Sequence, residues 1–194
     1  MKVLVIGSGG REHAVVDALA RNTAIQQIYA APGNGGIAAH AQLVPISAEN
    51  NQELLEFARR EKIDLTFVGP EVPLSLGIVD LFRGQGLKII GPTSENARLE
   101  SSKTYAKRFF KANSIPTANF WECATAQEAY HLLDDATCPI VVKADGLASG
   151  KGVVVAQSLD QARAAVHDFM EARTMGAAGS RVVLEEFMTG EEAS

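Results

Sequence analysis

The chain has 194 residues, of which 46% are hydrophobic and 21% charged, an ordinary balance for a globular protein and enough for one or two domains. Its net charge is −5 and its aromatic fraction 6%, with no basic run interleaved with aromatics, so nucleic acid is not expected as a partner. The apolar run Val3 to Ile6 is too short for a signal peptide or a membrane span. Cys123 and Cys138 have neither metal spacing nor a disulfide framework; a cytoplasmic protein with reduced thiols and no membrane contact is expected.

The first hundred residues alternate strand and helix. Lys2 to Ile6 reads as a buried strand ending at Gly7, and His13 to Arg21 as a helix with Ala14, Ala18 and Leu19 on one face. Ile25 to Ala31 reads as a second strand, Gln42 to Ile46 as a short third, and Asn51 to Glu61 as an amphipathic helix. Ile63 to Val68 is a strand stopped by Gly69-Pro70, Ile78 to Arg83 a helix, and Leu87 to Ile90 a strand stopped by Gly91-Pro92. This alternation predicts a Rossmann-like parallel sheet covered on both faces, over residues 1–102.

Ser94 to Ser101 and Ser102 to Asn113 then read as helical until Pro116, with a domain boundary close to Ser102. Beyond it, Pro139 to Ala144 is a strand, Asp145 to Gly152 a glycine-rich loop and Val153 to Ala156 a strand, together a hairpin. Ser158 is a candidate cap for a helix running to about Met170. Thr174 to Ser180 is small, glycine-rich and expected to be mobile, and Arg181 to Phe187 is a last strand. Thr189 to Ser194 follows it with no closing helix, so the sequence is expected to be a truncated piece of a longer protein.

Four glycine loops end predicted parallel strands: Gly7-Ser8-Gly9-Gly10-Arg11-Glu12-His13, Pro32-Gly33-Asn34-Gly35-Gly36, Gly69-Pro70-Glu71-Val72-Pro73-Leu74 and Gly91-Pro92-Thr93. Each alone is a tight turn as readily as a ligand loop. Four at the carboxyl edge of one sheet point to a small phosphorylated ligand, because that edge is where open α/β sheets bind. In the dinucleotide fingerprint a glycine would stand at position 12, and an acid would follow the second strand. Here Glu12 and Ala30-Ala31-Pro32 stand there, which weakens a nicotinamide reading.

The most specific segment is Lys143-Ala144-Asp145-Gly146-Leu147-Ala148-Ser149-Gly150-Lys151-Gly152. It is not a P-loop, since three residues rather than four separate Gly146 from Gly150 and a strand follows. Two lysines around flexible glycines suit a lid over a triphosphate, where ammonium groups neutralise phosphate oxygens. Glu185-Glu186-Phe187-Met188, followed by Glu191-Glu192, taken alone reads as an edge strand with exposed acids.

Together these segments resemble the phosphoribosylamine–glycine ligase (glycinamide ribonucleotide synthetase) family of the ATP-grasp superfamily, over the whole chain. The resemblance implies an N-terminal parallel-sheet domain that binds phosphoribosylamine (1–102), followed by an incomplete ATP-grasp domain (103–194) with a small α+β lid lobe over about 119–188. It implies a ligase that joins 5-phosphoribosylamine to glycine through a glycyl phosphate, using ATP and Mg2+, monomeric when intact. It places ATP against Lys103, Lys143, Gly146, Ser149, Gly150, Lys151, Gly152, Glu185, Glu186, Phe187, Met188 and Glu192. Phosphoribosylamine would meet Gly9, Gly10, Arg11, Asn34, Gly35 and Glu71. No metal ligand and no certain catalytic residue is expected within these residues; the magnesium ligands would lie beyond Ser194, and the piece alone is expected not to turn over. A Rossmann oxidoreductase, a nucleotide-sensing module and an ATP-grasp ligase for another carboxylate are the alternatives.

Overall fold

The computed structural model describes residues 1–148 and 150–191. The chain divides into two compact units, Met1–Ala97 and Arg98–Ser194.

The first unit is a five-stranded sheet of β1 (Lys2–Gly7), β2 (Gln27–Pro32), β3 (Gln42–Leu43), β4 (Leu65–Val68) and β5 (Ile89–Ile90), in the order β3-β2-β1-β4-β5. All four pairings are parallel. The central strand shows why. Val3 and Val5 face one cluster with Val16, Ile28 and Ile37, while Leu4 and Ile6 face another with Leu54, Ile78 and Phe82. A strand buried on both faces must be apolar at every position, and helices must cover both sides. Those helices are α1 (Gly10–Ala20), α2 (Asn51–Arg60), α3 (Glu71–Ser75) and α4 (Ile78–Gly84). The third predicted strand is shorter than expected, because only Gln42 and Leu43 find partners on β2.

Helices α5 (Ser94–Ser101) and α6 (Lys103–Ala112) follow. Ser102 caps α6 by accepting the Tyr105 N–H at 3.2 Å. The second unit holds an antiparallel sheet of β6 (Phe120–Cys123), β7 (Ile140–Ala144), β8 (Val153–Ala156) and β9 (Val182–Glu186), in the order β6-β9-β7-β8. Ile140, Val142, Ala144, Val182 and Leu184 bury one face beneath α7 (Ala126–Asp134) and α8 (Leu159–Val166). The opposite face carries Val141, Lys143, Val153, Val155, Val183 and Glu185, which the strand register places side by side. Helix α6 reaches that face through Lys107, whose ammonium meets Glu185.

Three expectations are corrected. Strand β9 is an interior strand, so the reading of an edge strand fails, and of the acids in that segment Glu185 is buried while Glu186 and Glu191 are exposed. The segment Gly176–Ser180 is a packed 3-10 turn: Gly179 is buried, and a Cβ there would lie 2.3 Å from the Phe169 carbonyl oxygen. Residues Glu71–Ser75, read as loop, form helix α3. Strand β6 and helix α7 went unread between Pro116 and Pro139. Thr125 and Glu128 were the available signal, since they form a capping box in which the Thr125 hydroxyl accepts the Glu128 N–H at 3.2 Å.

Candidate functional site

In the first unit the loops after β1, β2 and β4 meet at the carboxyl edge of three adjacent strands. Glu12, which sequence patterning marked only as a departure, is the post on which the loops after β1 and β4 rest. Its side chain is buried and its carboxylate accepts the Gly9 N–H at 2.6 Å. A Cβ on Gly69 would sit 1.9 Å from its Oε1, and one on Gly7 would sit 2.7 Å from its Cγ. The glycines therefore make room for Glu12 as much as for any ligand. Asn34 joins the second loop to the first: its amide donates to the Ser8 carbonyl at 2.8 Å, and its oxygen accepts the Gly36 and Ile37 N–H groups at 2.9 Å each. Gly35 beside it faces open space. The Arg11 guanidinium lies 3.5 Å from the Glu71 carboxylate, with both side chains exposed. Gly9, Gly10, Arg11, Asn34, Gly35 and Glu71 are thus gathered at one edge, although the Asn34 side chain is already committed to the loops themselves.

In the second unit β7 and β8 hold the hairpin. Gly150 has φ +78°, which suits glycine. Gly146 and Gly152 are required by packing: a Cβ would fall 2.8 Å from Ala178 Cα and 2.7 Å from Ala148 Cβ, respectively. Asp145 anchors the base of the loop to α6, accepting the Thr104 N–H at 2.6 Å and the Ser102 hydroxyl at 3.1 Å. The Lys103 ammonium donates to the Gly146 carbonyl at 3.4 Å, which places it at the hairpin. Lys151 is exposed. Ser149 and Glu192 lie outside the described residues.

Lys143 and Glu185, both expected near nucleotide, form an ion pair at 2.7 Å. Lys107, which sequence reasoning passed over, meets the same carboxylate oxygen at 3.2 Å and donates to the Thr117 hydroxyl at 2.7 Å. Its position on α6, four residues after Lys103, was the signal, because residues at that spacing share a helix face. Among the described residues Glu185 Oε1 is buried with no hydrogen-bond partner. Around these charges Val153 and Val155 are exposed on the same face, and Phe187 and Met188 are exposed just past the end of β9. The Asn119 backbone N–H, at 2.9 Å, and then its side-chain amide hold the Glu186 carboxyl below the usual carboxylate range. A cavity of about 630 Å³ opens towards the helix-covered face between Trp121, Leu132, Pro139 and Leu184, and shares Glu186 and Phe187 with the end of β9. It is lined by no lysine or arginine, so it does not suit phosphate.

A lysine-bearing helix at a glycine hairpin on an antiparallel sheet, preceded by a parallel α/β unit, is the arrangement of the ATP-grasp class of fold. Residues 1–100 match the N domain of phosphoribosylglycinamide synthetase, and residues 101–194 match its ATP-grasp (A) domain. The chain belongs to the phosphoribosylglycinamide synthetase family. It is 52% identical over 194 residues to phosphoribosylamine–glycine ligase of Ralstonia nicotianae, and 50% identical over 196 residues to that of Escherichia coli K12. Each comparison covers 100% of this chain and 46% of the relative, so the chain spans about half the length of the curated relatives it matches. The crystal structure of phosphoribosylamine–glycine ligase from Thermotoga maritima superposes with a TM-score of 0.81 at 30% identity, over 98% of this chain and 45% of that one. A biotin carboxylase from Campylobacter jejuni shares the fold, with a TM-score of 0.76 at 18% identity over 96% of this chain and 45% of that one.

Proposed function

We propose that the protein this chain represents joins 5-phosphoribosylamine to glycine at the expense of ATP, giving glycinamide ribonucleotide for purine biosynthesis. The observation that carries this reading is the glycine hairpin with Lys103 at its Gly146 carbonyl and Lys143 on its first strand, in a chain whose two parts match the two domains of that synthetase family. It works in the cytoplasm as a monomer on small-molecule substrates, without nucleic acid. No described helix is long and apolar enough to cross a membrane.

The residues present fit a nucleotide triphosphate. Lys103 and Lys143 supply the cationic groups that phosphoryl oxygens require. Gly146, Gly150, Lys151 and Gly152, with Ser149, close over them. The end of β9, from Glu185 to Met188, offers backbone donors and acceptors beside exposed apolar side chains, a setting for the edge and face of a purine, and Glu192 is assigned to the ribose. In the first unit Gly9, Gly10, Arg11, Asn34, Gly35 and Glu71 hold the phosphoribosylamine. Phosphoryl transfer from ATP to the glycine carboxylate releases ADP and makes an acyl phosphate, which the amine then attacks with phosphate leaving; this chain's share is to position and neutralise charge, which is the larger part of catalysis in phosphoryl transfer. Among the described residues no three His, Cys, Asp or Glu side chains are grouped to hold a metal ion.

The test is thermal denaturation with Mg-ATP, ribose 5-phosphate and NADH. A ligand at about 100 times its Kd adds about 2.7 kcal/mol, which raises the midpoint by several degrees in a chain this size. Shifts with ATP or ribose 5-phosphate, and none with NADH, are expected. A shift with NADH alone sinks the ligase reading in favour of an oxidoreductase.

A further inference from the structure

Two lysines of different character share one carboxylate oxygen. Lys107 is enclosed: its side chain is 10% exposed, its ammonium is held by Glu185 and by the Thr117 hydroxyl, and it lies 5.6 Å from the centre of the Phe120 ring. Lys143 is 27% exposed on the open face beside Val153 and Val155. A carboxylate paired with a single ammonium is neutral and offers an incoming anion nothing. The cluster of Lys107, Glu185 and Lys143 carries two positive charges against one negative.

We propose that Lys107 is a positioning residue for Lys143: it is the fixed counter-ion of Glu185, and it leaves Lys143 able to exchange that carboxylate for a phosphate. The claim rests on the nucleotide reading above. Without Lys107, moving Lys143 to a phosphate would strand Glu185 as an uncompensated buried charge, which is strongly disfavoured. With it, Glu185 stays paired whichever way Lys143 turns. The Lys107 and Glu185 side chains are nearly enclosed, at 10% and 5% exposure, so their charges are screened less than charges in open solvent.

The experiment compares the 194-residue chain with K107M, K107R and the double variant K107M/E185Q, each checked for folding by far-UV circular dichroism. Isothermal titration measures ATP, adenosine and inorganic tripolyphosphate. K107M is expected to weaken ATP and tripolyphosphate about tenfold or more while changing adenosine less than about twofold, since only phosphates feel the lost charge. K107R retains phosphate binding. The double variant regains most of the lost ATP affinity, because an amide at position 185 no longer sequesters Lys143. ATP and adenosine falling together in K107M, or a double variant weaker than K107M, overturns the proposal by showing only a packing role. If the unsubstituted chain binds tripolyphosphate but neither ATP nor adenosine, the nucleotide reading fails and the tripolyphosphate series alone decides on Lys107. If it binds none of the three, the proposal is overturned together with that reading.

Discussion

At the residue scale the side chains that organise this protein are those with two jobs. Glu12 closes the backbone of the first loop and fills the space that Gly7 and Gly69 leave. Glu12→Ala removes a charge-assisted bond and opens a void, and is expected to cost about 1–3 kcal/mol in urea denaturation. Asp80 accepts the Ser94 N–H at 2.8 Å, and this hydrogen bond holds its carboxyl below the usual range. A carboxyl lowered in the folded state adds stability above its unfolded value, near about pH 4. That contribution is lost as pH falls through the folded value. Asp80→Asn is therefore expected to lower stability at neutral pH and to flatten its decline in acid, as read from denaturation midpoints against pH. Burial pushes the Cys123 thiol up to about 11, while Cys138 is partly exposed. Iodoacetamide at pH 8 is expected to label Cys138 and spare Cys123, as seen by mass spectrometry; equal labelling would contradict the buried site.

At the scale of elements, local chemistry explains most boundaries. Asn50, Ser102, Thr125 and Ser158 each accept the N–H three residues on and start a helix. Thr125→Ala is expected to cost about 1 kcal/mol by loss of the α7 cap. The turn at Gly176–Ser180 has a different origin. Its glycine content suggests mobility, yet Gly179 is small because the Phe169 carbonyl passes directly against it. Gly179→Ala is expected to destabilise by about 1–3 kcal/mol through forced backbone movement, which a thermal melt of the variant would reveal. The same lesson holds for the hairpin. Gly146 and Gly152 are spaced for Ala178 and Ala148 as well as for a ligand, and composition could not separate those causes.

At the scale of the whole molecule there are two sheets, a parallel one with a hydrophobic cluster on each face and an antiparallel one with a hydrophobic cluster on one, and the proposed substrates divide between them. Hydrogen exchange followed by mass spectrometry should show ribose 5-phosphate protecting the loops after β1, β2 and β4. ATP should protect the hairpin and the end of β9. Protection of the same peptides by both ligands would break that assignment. The parallel sheet was legible because β1 is apolar at every interior position and four of its five strands, all but β3, stop at or beside a glycine. In the antiparallel lobe the hairpin, the Ser158-capped helix and the last strand were legible; β6 and α7 were passed over, because Phe120-Trp121-Glu122-Cys123 is short and mixed and its partner β9 lies some sixty residues on in sequence.

The amino-acid sequence by itself determined the order of strands and helices apart from α3, β6 and α7, the four glycine loops, the lysine-glycine hairpin and, through them, the family. These are local signals: turn geometry, capping and periodicity act within a few residues and leave a mark in composition. Only the tertiary structure decided what Glu12, Lys107 and Glu185 do. The strand register sets Glu185 on the same face as Lys143, and α6 delivers Lys107 to the same oxygen from 78 positions away in the chain. A charge cluster of that kind is fixed by packing and by the cost of leaving a buried carboxylate unpaired, and neither is written in any short stretch of sequence.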